Sequence, residues 1–116
     1  MQRDNAIRLR HMLDAAQEAI SFIQNKNRSS LDSDRQLELA LVKCIEIIGE
    51  AANQITDECR KDLVQIPWAS IIGMRNRLIH AYFDINRDIL WTTVNEDLPA
   101  LIAELEKIVP TISSDS

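Results

Sequence analysis

Leu37-Glu38-Leu39-Ala40-Leu41-Val42-Lys43-Cys44-Ile45-Glu46-Ile47-Ile48-Gly49-Glu50-Ala51-Ala52 is the stretch that decides the fold. Leu37, Leu41, Cys44, Ile45, Ile48, Ala51, Ala52 and then Ile55 recur at three- and four-residue steps, the period of an α-helix. Leu39, Val42 and Ile47 carry the apolar surface beyond one face. A helix so widely apolar needs more than one neighbour, from its own bundle or from a second subunit. Ser33, followed three residues later by Gln36, predicts a capping box at its start. Gly49, unfavourable mid-helix by about 1 kcal/mol relative to Ala, implies that another helix comes close there.

The same period extends on both sides. Ile7, Leu9, Met12, Leu13, Ala16, Ala19, Ile20 and Ile23 predict a helix from about Arg3 to Asn25, with His11 beside its apolar stripe. The polar run Asn25 to Asp32 reads as a loop, and Arg60 to Ile66 as a transition. Pro67 suits the first position of a third helix, in which Trp68, Ile71, Ile72, Arg75, Leu78, Ile79 and Tyr82 are helically spaced. Asp84-Ile85-Asn86 interrupts it, Asn86 being positioned to cap a last helix that runs from Ile89 to Val109. Pro99 should kink or split that helix, and Pro110 should stop it, leaving a polar tail from about residue 111. The expectation is an all-α, up-and-down four-helix bundle in one domain, 1–116.

Composition narrows the function. The 116 residues are 46% hydrophobic and contain two Gly and three Pro, which suits helices. Net charge is −5, which argues against broad electrostatic coating of nucleic acid. From Gly73 to Arg87, however, three Arg and one Asp make a local +2. Cys44 and Cys59, if on one continuous helix, stand about 22 Å apart, too far for an intrachain disulfide. Two His and two Cys without a CxxC do not suggest zinc. Neither a signal peptide nor a membrane span is expected, and the chain reads as cytoplasmic.

Gly73-Met74-Arg75-Asn76-Arg77-Leu78-Ile79-His80-Ala81-Tyr82-Phe83 concentrates groups able to bind phosphate and move protons. On one ideal helix Arg75 and Tyr82 face the same way, while His80 points about 140° from Arg75. Asn76 would share the face of His80 and orient its imidazole. Either the helix ends near Leu78 and His80 swings round, or two copies of the segment meet across a symmetric dimer.

Arg75-Asn76-Arg77-Leu78-Ile79-His80-Ala81-Tyr82 resembles the R-x4-H-x-Y signature of the HEPN superfamily, in particular its HepT-like toxin branch. Ile47-Ile48-Gly49-Glu50-Ala51-Ala52, Pro67 to Met74, Asp88 to Val94 and Asp97-Leu98-Pro99 extend the likeness over roughly residues 3 to 109. The resemblance implies a HEPN-like homodimer acting on RNA as a metal-independent endoribonuclease, with no cofactor and no metal ligands. Its catalytic residues would be Arg75 and His80, with Asn76, Arg77 and Tyr82 binding or orienting substrate. It also implies a toxin–antitoxin system in which a cognate nucleotidyltransferase transfers AMP to Tyr82. Arg77 and Arg87 are lesser candidates for RNA backbone contacts. The alternative is a non-catalytic dimeric helical module that docks a nucleotidyltransferase.

Overall fold

The computed structural model describes the backbone of residues 2–81 and 84–113, and the side chains of all of these except 80, 81 and 110–113. The elements are α1 (Arg3–Phe22), α2 (Ser30–Ser33), α3 (Arg35–Gln54), α4 (Asp57–Asp62), α5 (Trp68–Ile72) and α6 (Met74–Leu78). They continue as β1 (Ile79–Ala81), β2 (Asp84–Ile85), α7 (Arg87–Thr92), a π-turn (Thr93–Asp97) and α8 (Leu98–Ser113). Among the described residues the fold is all-α apart from one short two-stranded ladder, as the periodicity predicts. No helix of the described residues is long and apolar enough to cross a membrane.

The apolar stripe of α3 is buried along its whole length, and Ile55 just past its end is buried too. The helix packs on α1 and also against α5, α6 and α7, so neighbours within the chain occupy its wide apolar surface. Ile47 is partly buried in the core, and Leu39 remains 47% exposed. On α1, the buried Ala15, Ala16 and Ala19 are small enough for its main partners, α3 and α8, to approach closely. Leu9, Met12, Leu41, Ile45, Ile48, Leu98 and Leu105 belong to one core cluster.

Several boundaries differ from the expectation, each for a local reason. The helix start predicted at Ser33 is one residue early: Asp34 is the cap of α3, accepting from Leu37 N at 3.0 Å, and Ser33 closes the short α2. Of the transition read from Arg60 to Ile66, residues 60–62 belong to α4, whose start Thr56 caps by accepting from Cys59 N at 3.3 Å. Asn5, buried on α1, exchanges two hydrogen bonds with Thr56 and secures that cap. Cys44 and Cys59 therefore lie on different helices, both free and buried.

The third helix is not continuous. Pro67 is the residue before α5, and the helix breaks at Gly73, where a Cβ would come within 3.3 Å of the Ala69 carbonyl oxygen. At Leu78 it ends altogether, and Ile79 pairs with Ile85 across an antiparallel ladder. Asn86 caps α7 as expected, accepting from Ile89 N at 3.0 Å.

Before Pro99 the chain leaves α geometry for the π-turn Thr93–Asp97. Proline lacks an N–H and crowds the carbonyl four residues back, here that of Asn95 inside the turn. Pro110 does not stop α8, which runs on to Ser113. The carbonyl that loses its donor there belongs to Glu106, an exposed residue that water can serve.

Candidate active site at the end of α6

Arg75 and Asn76 are exposed on α6, the five-residue helix between Gly73 and the ladder. Together with α3 they line a groove of about 360 Å³ whose other walls are Ile45, Glu46, Gly49, Glu50, Asn53 and Ile72. Arg75 Nε donates to Glu46 Oε1 at 3.1 Å, with the arginine side chain 53% exposed. The groove is thus a mixture of one guanidinium, two amides and two carboxylates over an apolar floor.

His80 lies past the helix end, on β1. In the ladder Ile79 opposes Ile85 and Ala81 opposes Asp84, so two steps on β1 match one on β2. His80 is the extra residue of a bulge, a device that bends a strand and increases its local twist. The helix ends at Leu78, as the first of the two ways out of the single-helix geometry requires. The helical Asn76–His80 relation is accordingly lost. Tyr82 lies outside the described residues.

Arg77 points elsewhere. It lines a second groove of about 420 Å³, whose walls include Met74, Glu96, Asp97, Leu98 and Glu104. Arg87 Nε is bound to Glu38 Oε2 at 2.5 Å, an ion pair that raises the guanidinium above its ordinary pKa. Of the five residues implied by the resemblance, the structure brings Arg75 and Asn76 together and separates Arg77 from both.

Residues overlooked from the sequence are Glu46, Glu50 and Asn53. Their four- and three-residue spacing forms a polar strip along one side of α3, a signal that was available. Glu38 was missed too, although a lone acid three, four and seven residues before Leu41, Val42 and Ile45 stands on the apolar face. Among the described residues, no group of three His, Cys, Asp or Glu side chains is arranged to hold a metal ion.

Comparison with known proteins places this geometry in context. The family model described as "Ribonuclease HepT-like" matches residues 12–108. The "Probable ribonuclease HepT" of Thermococcus cleftensis is 37% identical over 95 residues, covering 78% of this chain and 86% of its own. "Putative RNase MJ1380" of Methanocaldococcus jannaschii is 33% identical over 105 residues, covering 90% of this chain and 96% of its own. "Putative RNase TTE0752" of Caldanaerobacter subterraneus subsp. tengcongensis is 34% identical over 101 residues, or 87% and 90%. No solved structure matches the chain significantly.

Proposed function

The chain belongs to the HepT-like ribonuclease family, and from that premise we propose that it is a metal-independent endoribonuclease, the toxin of a toxin–antitoxin pair. The reading includes a cytoplasmic homodimer of one-domain, four-helix bundles with a kink near Pro99. Two R-x4-H-x-Y motifs face each other across the dimer cleft and make a composite site.

The observation that carries the reading is the end of α6 at Leu78. It leaves Arg75 exposed beside a groove on a helix, and sets His80 on a separate, bulged strand. Phosphate binding and proton transfer then belong to different elements, which a continuous helix would not allow within one motif.

In the proposed reaction the 2′-hydroxyl of RNA attacks the adjacent phosphorus and the bond to the 5′-oxygen breaks. This leaves a cyclic phosphate and a free 5′-hydroxyl. Imidazole, with an ordinary pKa near 6.5, exchanges protons readily near neutrality, and that is the role of His80. Arg75 holds the scissile phosphate and offsets charge developing on its non-bridging oxygens. Asn76 contacts RNA from the same groove, and Tyr82 positions substrate. A nucleotidyltransferase antitoxin transfers AMP from ATP to the Tyr82 hydroxyl, releasing pyrophosphate and adding bulk and negative charge where RNA phosphate binds.

The test is incubation of the pure protein with RNA in EDTA, beside Arg75→Ala and His80→Ala. Cleavage by the wild type alone is expected, and cleavage surviving in both variants rejects the assignment. Cleavage by none of the three favours the non-catalytic docking module. That second reading draws on Glu46 and Glu50, whose carboxylates line the groove and oppose a polyanion. Mass spectrometry after incubation with the partner and ATP should place the AMP on Tyr82.

A further inference from the structure

Glu38 is 1% exposed on the first turn of α3, and both its oxygens are engaged. Arg35 Nη1 lies 2.6 Å from Oε1, and Arg87 Nε lies 2.5 Å from Oε2. A carboxylate so withdrawn from water persists only when paired and hydrogen-bonded, so this contact is strongly specified.

Arg87 is the first residue of α7, directly after the ladder. Its neighbour Asn86 donates its backbone N–H to the Leu78 carbonyl at 2.6 Å, where α6 ends and β1 begins. From Glu38, then, the sequence Arg87, Asn86, Leu78 reaches both feet of the hairpin that carries His80. A second ring backs it: Arg28 binds Asp88 at 2.6 Å and Asp32 at 3.1 Å, and Asp32 lies 3.7 Å from Arg87. Three arginines and three acids satisfy one another.

A ladder of three residues against two is too short to hold itself, whereas a catalytic group must be placed to about half an ångström. We propose that Arg87, anchored by Glu38, is a positioning residue that fixes the His80 hairpin relative to Arg75. It is not an RNA contact. This rests on the ribonuclease reading of the site.

Kinetics and RNA binding are compared for the wild type, Arg87→Ala, Glu38→Gln, the double variant and Arg87→Lys. In Arg87→Ala and Glu38→Gln, kcat should fall at least about tenfold, with KM and the salt dependence of RNA binding unchanged. The double variant should be no worse than the more impaired single one, and Arg87→Lys should recover part of the loss. Since Glu38 is buried, its effect cannot come from touching RNA. Unchanged kcat, with raised KM and a salt slope reduced by about one, would make Arg87 a phosphate contact and overturn the proposal.

Backbone NMR gives a readout free of catalysis. Amide shifts from residue 79 to 85 should move in both single variants, and the Asn86 N–H should exchange faster. If the wild type cleaves nothing, the ribonuclease reading fails while these shifts still judge the anchor; a hairpin unmoved in both variants sinks it. Should Arg87→Ala not fold, Glu38→Gln and Arg87→Lys carry the comparison.

Discussion

Arg75 and Glu46 are joined across the α3–α6 groove, Nε to Oε1 at 3.1 Å. The first arginine of the motif is therefore held towards Glu46 by one hydrogen bond. Arginine and carboxylate sit on different helices, so the pair also ties α6 to α3.

Glu46→Gln keeps an acceptor for Arg75 and removes the charge. With the Arg75 pair 53% and 34% exposed, solvent screens most of the interaction. RNA binding should tighten by about two- to fivefold at low salt, the scale of an exposed ion pair. Fluorescence anisotropy at two salt concentrations measures it. Binding weakened tenfold would instead mean that the carboxylate itself is needed to aim Arg75.

Asp34→Ala should cost about 1 kcal/mol of stability, because it removes the acceptor for Leu37 N at the start of α3. Ser33→Ala should change stability by less than about 0.5 kcal/mol. Urea unfolding of the two variants separates the structural cap from the capping box that the sequence suggests. Equal costs would place the helix start at Ser33 after all.

Cys44 Sγ faces Glu18 Oε1 at 3.8 Å, and burial together with that carboxylate pushes its pKa up to about 11. Raised above its unfolded value, the neutral thiol stabilises the fold below about pH 9, and this contribution is lost as pH rises towards 11. Chemical denaturation at intervals across that window should show the decline, and Cys44→Ala should flatten it. At pH 8 a thiol reagent should label native Cys44 far more slowly than a free thiol.

Gly49→Ala should stabilise the protein by up to about 1 kcal/mol. A Cβ there would stand 3.6 Å from the Ile71 carbonyl oxygen and 3.8 Å from that of Ile72, ordinary contact distances. The close approach that Gly49 implied is real, yet it leaves room for a methyl group. Thermal melts decide it: a lowered Tm would show that α5 has to retreat.

The long helices were legible because their buried stripes follow one period for several turns, as on α1 and α3. The end of α6 was legible only as one of two alternatives. Arg75, Leu78, Ile79 and Tyr82 fit helical spacing, and only the pairing of Ile79 with Ile85 and the Asn86-to-Leu78 hydrogen bond redirect the chain. Such contacts depend on tertiary structure, which overrides a local period. The partnership of Glu38 with Arg87, 49 residues apart, was invisible for the same reason, though the misplaced acid itself could be seen. For the candidate site, motif and spacing nominate Arg75 and Asn76, and the structure sets both on one groove with Glu46 and Glu50.

Arg75 and Arg77 stand two residues apart in the motif, and they make the sharpest contrast for mutagenesis. Arg75 borders the α3 groove with Asn76, whereas Arg77 lines the second groove with Glu96, Asp97 and Glu104. If phosphate is held by Arg75, Arg75→Ala should reduce RNA cleavage by about 10²–10³-fold, the usual loss when a charge-stabilising donor is removed. Arg77→Ala should reduce it by less than about threefold, because a guanidinium among three carboxylates is poorly disposed to take a phosphate. Single-turnover cleavage of one RNA by both variants tests the pair directly. An Arg77→Ala loss as large as that of Arg75→Ala would mean that the two grooves serve one substrate path, with the Arg77 side forming part of the composite site.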